Sequence, residues 1–480
     1  MATVEWIGQA RRDGDNSQAN PARLINCYRE NIGEKFIIKS VPGMTEFAQL
    51  NGVFMREMSE VEGIMLAACG GELHQINSDM TTAVLTTIPD GVDTTISGNN
   101  GDIAVASYGT YTLYSGGVAS NPTTGAISSV GSVSFLGQRT ILTEKGGAKI
   151  QWSDVADASA FDPLDFATAE SRDDNLIRGA AISGQFWAFG ERSTERWYLT
   201  GAGDSSSFLA PIPGSTVDTG LMSFGLLAEF PNGAFFIGHD GLAYLVSGGQ
   251  IAPVSSRGVE TSIKQKTPQR CFYYEDEGHK FCVIQFADRP AWVYDLSSNE
   301  WHERAEGSQL YNWSAVAGTE AYGASFVGTE LGGVYKLERT NMDGDEPLIR
   351  RGVSRTLEME GNPFTINRLQ ISIRTGRADV TEIQATALEV GHNEALEAEG
   401  GALIAGYFPV SRPAKMFIRF SKNRGETWGP EKWRSLGSLG DYGKLVRWHS
   451  QGSFYRANVE FTIAEPAEIP MDAIAFLEVS

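Results

Sequence analysis

The residues best suited to chemistry are six histidines and four cysteines, and they are scattered along the 480-residue chain without a ligand pattern. Cys27, Cys69, Cys271 and Cys282 include no C-x-x-C pair and have no histidine at zinc-binding spacing, so we expect buried free thiols. The tetrapeptide GHDG at residues 238–241 could place a base beside an acid, but a turn next to a strand explains it better. These residues predict neither a metal site nor a catalytic pair.

Acidic pairs do not converge either. Asp173 with Asp174 and Asp343 with Asp345 lie in polar loops where solvent stabilises their charge, and no 12-residue calcium loop is present. Nucleophile-elbow, phosphate-loop and dinucleotide-binding patterns do not occur in the strand and helix context that they require. We therefore predict a protein that is not an enzyme, uses no cofactor, and has no catalytic, cofactor-binding or metal-binding residues.

The composition indicates many short strands joined by tight turns. The chain has 54 glycines, whereas charged residues make up only 20% and aromatic residues 10% of it. Its 59 acidic residues against 39 basic ones give a net charge of −20, which argues against tight binding to nucleic acid phosphates. Because the sequence has neither a membrane-length apolar run nor a signal-peptide pattern, we expect a soluble protein.

A hairpin that recurs between about residues 60 and 340 predicts how these strands are arranged. Each unit has an apolar strand, a polar turn and a second strand, as in GIMLAACGGELHQIN and GAFFIGHDGLAYLVSGG. Gly70 with Gly71, and Asp240 with Gly241, supply the backbone angles of tight turns. The units recur at roughly the 40 to 50 residues of a propeller blade, and a lone hairpin cannot bury its apolar face. We therefore predict an all-β chain whose residues 46–340 form a β-propeller of six to eight blades.

Two segments depart from this repeat. Residues 152–175 are polar and do not alternate, so we predict a long ordered loop. Residues 345–480 alternate with a period of two, as where Val459, Phe461 and Ile463 share one face, and they predict a C-terminal all-β platform domain of the sandwich type. Residues 1–45 precede the first unit and are predicted to fold with this platform.

A basic region lies between Ser411 and Arg456 in this otherwise acidic chain. It contains ten basic residues and three acidic ones. A solvated face of a sheet and a docking surface for an acidic partner would both account for the excess of positive charge. The sequence leaves both interpretations open.

The same region contains SKNRGETW, residues 421–428, which is similar to the S-x-D-x-G-x-T-W hairpin of sialidase-type propellers, with Asn423 in place of the aspartate. In such hairpins this side chain braces its own turn, so we expect a structural role. The resemblance keeps an alternative open: a carbohydrate-binding or sialidase-like propeller, with a central pocket of carboxylates, a tyrosine or clustered arginines. The repeat strands do not identify such a set. A scaffold propeller that binds peptides is a third alternative.

Other motifs are spread over most of the chain. Near the N-terminus they are INCYREN, KSVPGMTEF and LNGVFMREM. IQWSDVADASAFDPLDFATAE, DDNLIRG, FWAFGERSTERWYLTG and DTGLMSFGLL follow in the middle, and AWVYDLSSNEW and FIRFSKNRGETW come later. In their order and spacing they resemble one family, the tail hub or nozzle proteins of short-tailed bacteriophages, which are also described as packaged DNA stabilisation proteins.

This resemblance implies a structural virion protein with a propeller on a platform, whose subunits form a homohexameric ring in the virion tail after assembly in the cytoplasm of the bacterial host. The ring would dock below the portal and adaptor proteins, close the DNA-filled head, carry a fibre or spike and a plug or needle, and form the channel for genome ejection. Genomic DNA would pass through its lumen without tight binding. In this hypothesis the residues that contact an acidic adaptor or a neighbouring subunit are Arg412, Arg419, Lys422, Arg424, Arg434 and Arg447.

Overall fold

The computed structural model describes residues 2–5, 22–33, 35–51, 54–201, 207–376, 379–387, 405–465 and 471–479. Strands dominate these ranges, and their one α-helix is α1 (Arg257–Gln265). No helix in them is long and apolar enough to span a membrane. The first five strands are β1 (Ala2–Glu5), β2 (Arg23–Ile25), β3 (Cys27–Ile32), β4 (Lys35–Ser40) and β5 (Gly43–Gln49).

The repeated region forms seven antiparallel sheets that follow one another as the blades of a propeller. Blade 1 contains β6 (Met55–Val61), β7 (Ile64–Cys69), β8 (Glu72–Ile76) and β9 (Thr82–Thr87). Blade 2 contains β10 (Thr94–Asn99), β11 (Asp102–Ser107), β12 (Thr110–Ser115) and β13 (Val118–Ser120). Blade 3 contains β14 (Val130–Leu136), β15 (Arg139–Glu144), β16 (Lys149–Trp152) and β17 (Phe166–Thr168).

The remaining blades continue this order. Blade 4 contains β18 (Leu176–Ile182), β19 (Gln185–Gly190), β20 (Thr194–Leu199) and β21 (Leu209–Pro211), and blade 5 contains β22 (Leu227–Phe230), β23 (Gly233–Ile237), β24 (Ala243–Ser247) and β25 (Gln250–Pro253). Blade 6 contains β26 (Arg270–Asp276), β27 (His279–Gln285), β28 (Ala291–Asp295) and β29 (Glu300–Arg304). Blade 7 contains β30 (Ala315–Ala321), β31 (Ala324–Thr329) and β32 (Gly333–Glu338) together with β5. The predicted all-β propeller is confirmed, and it has seven blades.

Alternation along a blade strand explains why the strands are apolar on both faces. In β7, Leu66 and Ala68 belong to the core shared with blade 2, whereas Met65 and Ala67 belong to the core shared with blade 7. Successive side chains point to opposite faces of a sheet, and a blade inside a ring has a neighbour on each side. Burial between neighbouring blades therefore holds the ring together.

An N-terminal strand closes this ring. β5 is the outermost strand of blade 7 and pairs antiparallel with β32, so that Met44 lies opposite Leu337 and Ala48 lies opposite Val334. Around the axis, the innermost strand β6 packs against β10 on one side and against β30 on the other. Closure leaves the first and last blades without a free sheet edge between them.

The segment at residues 152–175 was predicted as a loop, but it contains a strand. Phe166–Thr168 pairs with Lys149–Gln151 as the outer strand of blade 3. Between them, Asp157 and Asp162 accept hydrogen bonds from Ser159 and Leu164 two residues later and fix local turns. Three residues are too few to show an alternating pattern, so this strand could not be predicted from local periodicity.

Two sheets built from both ends of the chain form a sandwich beside the propeller. The C-terminal strands are β33 (Met342–Asp343), β34 (Glu346–Pro347), β35 (Arg350–Val353), β36 (Leu357–Glu358), β37 (Phe364–Ile373), β38 (Asp379–Ala387), β39 (Ala405–Pro413), β40 (Lys415–Ser421), β41 (Lys432–Ser435), β42 (Val446–Phe454), β43 (Arg456–Ile463) and β44 (Met471–Val479). One sheet has the order β3-β4-β44-β37-β42 with β1 on β44, and the other has the order β2-β35-β43-β40-β41. Their facing side chains, including Met416, Trp448 and Phe461, form one buried core.

The second sheet of the sandwich is continuous with the propeller. β2 pairs in parallel with β29 of blade 6 and antiparallel with β35, which joins blade 6 and the sandwich in one ten-stranded sheet. The short hairpin of β33 and β34 similarly extends blade 7 beyond β5. The chain passes between the two parts twice, and strands of one part pair with strands of the other, so they are joined by strand pairing and not by a flexible linker.

A buried polar cluster lies at this junction. Asn26, which has φ +57°, donates from Nδ2 to the carbonyl oxygens of Ala305 and Ile349, each at 2.8 Å. Its Oδ1 accepts from the Ala305 amide at 2.9 Å and from Arg304 Nη1 at 3.1 Å. Arg304 is 1% exposed, and its Nη2 lies 2.6 Å from Asp343 Oδ1. We call Asn26, Arg304 and Asp343 the junction cluster.

Two histidines near the junction should make the free energy of unfolding depend on pH in opposite directions. The hydrogen bond between His279 Nδ1 and Asp295 Oδ2, 2.8 Å long, raises the pKa of His279, so its stabilising contribution is present at low pH and is lost as pH rises through that raised value. Burial lowers the pKa of His302 to about 3. The contribution of His302 to the free energy of unfolding is therefore fully present above pH 6.5, the pKa of an unfolded histidine, and is lost as the pH falls from 6.5 towards 3.

We therefore expect His302→Phe to lose less stability on acidification than the unmodified chain. The difference between the two proteins in the free energy of unfolding should change by about 1.4 kcal/mol for each pH unit below 6.5, because the buried imidazole takes up a proton on unfolding. Urea unfolding of both proteins at pH 7 and pH 4.5 measures this difference. His279→Gln, as the matched control, should show the opposite trend between pH 6 and pH 8. An unchanged difference between the proteins at the two pH values would contradict the prediction for His302.

Candidate docking surface

The structure places the six predicted docking residues in three settings. Arg412 and Arg419 form ion pairs within the sandwich: Arg412 Nη1 lies 2.8 Å from Glu465 Oε1, and Arg419 Nε lies 2.6 Å from Glu460 Oε1. Both glutamates are buried, and Glu460 also faces Arg351 at 3.9 Å. These two arginines neutralise buried carboxylates of the same chain, so they offer a partner less free charge than the sequence suggests.

Lys422 and Arg424 belong to the hairpin at residues 421–428. Asn423 Oδ1 accepts from the amide of Thr427 at 2.9 Å, and Ser421 Oγ accepts from the amide of Gly425 at 2.8 Å. Asparagine therefore braces this turn as the aspartate does in the pattern to which it is similar. Lys422 is exposed, and its Nζ lies 5.2 Å from the centre of the Phe454 ring.

Arg434 and Arg447 lie on neighbouring edge strands, β41 and β42. Arg434 Nε donates to the carbonyl oxygen of Arg447 at 2.8 Å, and Arg447 Nε donates to Gln370 Oε1 at 2.7 Å. Neither guanidinium forms an ion pair with a carboxylate in the described part of the chain. Their charge is therefore available to a partner at this edge of the sandwich.

Exposed apolar side chains surround this free charge. Trp433, Leu439, Tyr442 and Leu445 are exposed by 52%, 66%, 65% and 56%. A groove of about 640 Å³ beside them is lined by residues 431–435, 444 and 445. We call Trp433, Leu439, Tyr442 and Leu445, with the cations of Lys415, Arg434 and Lys444, the aromatic edge.

The geometry of the aromatic edge suits contact with another protein. Lys415 Nζ lies 5.2 Å from the Trp433 ring centre, and Lys444 Nζ donates to Ser435 Oγ at 3.0 Å. β41 is the last strand in its sheet order, so its outer side has no strand partner within the described residues. Tryptophan, tyrosine and arginine dominate the energetics of protein interfaces, and a contiguous exposed apolar patch commonly marks one. The basic residues predicted a docking surface in this region, whereas no sequence motif marks its exposed aromatic side chains.

The other candidate groups have structural roles. The four cysteines are buried and free, as predicted, and burial raises the pKa of Cys27 to about 12. In the tetrapeptide at residues 238–241, Asp240 accepts from the Tyr244 hydroxyl at 2.6 Å, and His239 Nδ1 accepts from the Gly220 amide at 3.2 Å. Over the ranges described, no three histidine, cysteine or acidic side chains are grouped as metal ligands would be.

Acidic side chains in the loops also bond to nearby backbone. Asp174 Oδ2 accepts from the amides of Arg192 and Ser193 at 2.8 Å and 2.9 Å, which ties the blade 4 entry to a turn of the same blade. Asp343 is a member of the junction cluster. Asp174 and Asp343 are therefore engaged in the fold.

Comparisons with known proteins identify the propeller. A family model described as "Bacteriophage P22 Gp10, beta-propeller" matches residues 6–341. No curated protein sequence matches the chain. Solved structures that match the chain include the computationally designed Ika8 protein, at 11% identity and a TM-score of 0.40 over 61% of this chain and 99% of that one. BamB from Moraxella catarrhalis has 10% sequence identity and a TM-score of 0.38, and the match covers 70% of this chain and 96% of BamB. The WD40 propeller domain of Doa1 has 11% sequence identity and a TM-score of 0.39, and the match covers 62% of this chain and 97% of that domain.

Proposed function

Because the chain belongs to the family of phage stabilisation proteins with a β-propeller that is described by P22 Gp10, we propose that it is a ring-forming tail hub of a short-tailed phage. In this proposal it is a structural protein of the virion tail with no enzymatic role. The ring, of six subunits, docks below the portal and adaptor proteins, carries a fibre or spike and a plug or needle, and continues the DNA channel outward. Its subunits are assembled in the host cytoplasm.

The match over residues 6–341 carries this proposal, and the charge of the chain supports it. A net charge of −20 means that a lumen lined by this protein would form few phosphate contacts that moving DNA has to break. Strand pairing between blade 6 and the sandwich supports a rigid subunit, as a channel wall under load requires. The acidic loops of the propeller offer many side chains for neighbouring proteins.

The aromatic edge is the surface that we assign to docking. Its cations suit an acidic adaptor or a neighbouring copy of this acidic chain, and Trp433 supplies an apolar anchor at the centre. Among the residues predicted for docking, Lys422, Arg434 and Arg447 remain available for such contacts. Arg412 of β39 and Arg419 of β40 act in this proposal by holding their own strands in place through their ion pairs.

We expect the triple variant Lys415→Glu, Arg434→Glu and Lys444→Glu to fold normally but to bind DNA-filled heads roughly a hundredfold more weakly, because like charges would then face the acidic partner. Negative-stain images of the purified protein, alone and mixed with heads, show whether rings form and attach. Reversal of three exposed cations of the propeller, Arg172, Arg192 and Lys264, is the matched control and should leave attachment intact.

Two results would contradict the proposal. Unmodified protein that stays monomeric on heads as well as in solution would exclude the ring. Normal attachment of the triple variant, with its thermal unfolding midpoint unchanged, would exclude the aromatic edge as the docking surface.

A further inference from the structure

A cavity of about 450 Å³ lies on the propeller axis, where the innermost strands of the blades meet. At the end where these strands begin, it is lined by arginines from three different blades: Arg56 of β6, Arg178 of β18 and Arg270 of β26. At the opposite end, Glu60, Glu62 and Glu320 contribute carboxylates. The arginines are distant in sequence and only the closed ring brings them to one place.

Arg178 and Arg56 line the cavity and are each held by a carboxylate of the same chain. Arg178 is 6% exposed, and its Nη2 lies 2.9 Å from Glu229 Oε1. Arg56 Nη2 lies 3.1 Å from Asp90 Oδ1. Within the described residues, the Nε atoms of both arginines are buried without a hydrogen-bond partner. Because these Nε atoms are closed to solvent, both arginines act on the cavity through their positive charge and not through free Nε groups.

Arg270 extends across the mouth of the cavity. Its Nη2 donates to the carbonyl oxygen of Val92, just before blade 2, at 3.1 Å. Its Nη1 lies over Gly225, just before blade 5, where an added Cβ would come within 2.7 Å of it. In the described part of the chain no carboxylate lies within ion-pairing distance of Arg270, and burial lowers its pKa. Glycine at 225 therefore leaves room for a guanidinium that forms no direct ion pair within the described residues.

Glu57 is a carboxylate of the cavity wall whose negative charge acts on Arg270. It lines the cavity beside Arg178 and Arg270, and in the described residues it forms neither a hydrogen bond nor an ion pair through its side chain. Burial raises its pKa, and the positive charges of Arg178 and Arg270 act against that shift. An anion bound at Arg270 would be repelled by this carboxylate.

The remaining lining is mixed. Residues with hydroxyl groups (Ser59, Thr95, Ser97, Ser134 and Thr319) and aromatic residues (Phe135, Phe230, Phe272 and Tyr273) also line the cavity. Small-molecule sites have this combination of apolar wall and a few convergent polar groups, in cavities of roughly 300 to 1,000 Å³. A ligand with several hydroxyls and one acidic group would satisfy both parts.

We infer that the axial cavity binds a small organic carboxylate of the sugar-acid class, with its carboxylate on the Arg270 guanidinium and within the positive field of Arg56 and Arg178. A guanidinium presents two parallel N–H groups that match a carboxylate. The ligand's hydroxyls face the serines and threonines. This inference goes beyond the proposed function, and it is the type of central site that the carbohydrate-binding alternative required.

The site binds and does not catalyse. The hydroxyl group of Tyr273, the tyrosine of the cavity, donates a hydrogen bond to Glu275. Burial and this carboxylate both raise the pKa of Tyr273. A tyrosine held in its protonated form is a poor nucleophile. Tyr273 also lies three residues along β26 from Arg270, towards the acidic end, at about 10 Å by strand geometry.

Isothermal titration calorimetry of the full chain with D-glucuronate, D-glucose and inorganic phosphate tests the inference. We expect one glucuronate per chain and affinities at least about tenfold lower for glucose, which lacks the carboxylate. Phosphate should bind more weakly than glucuronate, because it cannot contact the hydroxyl and aromatic lining. Equal affinities for glucose and glucuronate, equal affinities for phosphate and glucuronate, or no binding of glucuronate would each overturn the assignment.

Variants then locate the site. Arg270→Ala should weaken glucuronate binding by about tenfold or more. Arg270→Lys should restore only part of the lost affinity, because an ammonium cannot form two parallel hydrogen bonds to a carboxylate. Glu57→Gln should tighten binding several-fold by removing the repelling charge, a gain that misfolding cannot produce. Arg172→Ala, at an exposed ion pair, is the control and should change nothing. Unchanged affinity in both Arg270→Ala and Glu57→Gln would place any binding elsewhere and refute the site.

Discussion

Replacement of Arg304 by methionine should lower the free energy of unfolding by about 3 to 5 kcal/mol, because it leaves a buried carboxylate without its counter-ion. Asp343 loses the guanidinium that faces both of its oxygens, and Asn26 loses one of its four hydrogen bonds. The guanidinium also lies 5.0 Å from the centre of the Trp313 ring, a contact that methionine replaces only in part. The junction cluster joins blade 6, blade 7 and the sandwich, so the loss affects all three.

Thermal and urea unfolding of purified protein measure this effect, with limited proteolysis as a check on the junction. Arg172→Met is the matched control: its ion pair with Asp218 is exposed, and its loss should cost at most about 0.5 kcal/mol. Removal of both charges, in Arg304→Met with Asp343→Leu, should recover part of the stability. A single Arg304→Met variant as stable as the control would show that the cluster does not hold the junction.

Ala48→Lys should open the propeller ring. Ala48 lies on β5, is 7% exposed and packs with Leu50, Met55 and Val334 in the core between blades 7 and 1. A lysine there buries a charge without a partner, at a cost of about 3 kcal/mol or more. The side chain can escape only if β5 leaves β32, and that exposes a sheet edge to other molecules. We therefore expect aggregation as well as a lower unfolding midpoint.

Thr45→Lys is the control on the same strand. Thr45 is exposed and its hydroxyl donates to Glu338 Oε2 at 3.3 Å, so a lysine there meets a carboxylate and solvent. Its midpoint should stay close to that of the unmodified protein. Size-exclusion chromatography and thermal unfolding of the two variants side by side provide the measurement. Equal behaviour of the two lysines would mean that β5 does not seal the ring.

Local patterns in the sequence were sufficient for the fold class. Hairpin turns such as Gly70 with Gly71, both of which have positive φ, and apolar runs such as β7 depend on neighbours a few residues away. The closing pair of the ring could not be predicted in this way. Met44 meets Leu337 across most of the propeller sequence, and no local pattern records which distant strand completes a blade.

The functional surfaces show the same limit. The basic region was evident from composition, but whether a given arginine is free depends on its cross-strand neighbour, as the pairing of Arg419 with Glu460 shows. The axial arginines gave no signal at all. Arg56, Arg178 and Arg270 have unrelated local contexts, and only the geometry of a closed seven-bladed ring brings them together.

Closure by β5 also governs when the chain can finish folding during synthesis. A ribosome delivers Met44 early, yet its partner Leu337 emerges only after the intervening six blades have been made, and β4 must wait still longer for β44. Until then the nascent chain exposes an unpaired strand at each end of its growing arc, where chaperones or another chain can bind. A truncated product would keep that open edge. Translation arrest before β44 therefore yields molecules that cannot complete the sandwich, and quality control can remove them before they reach an assembling particle.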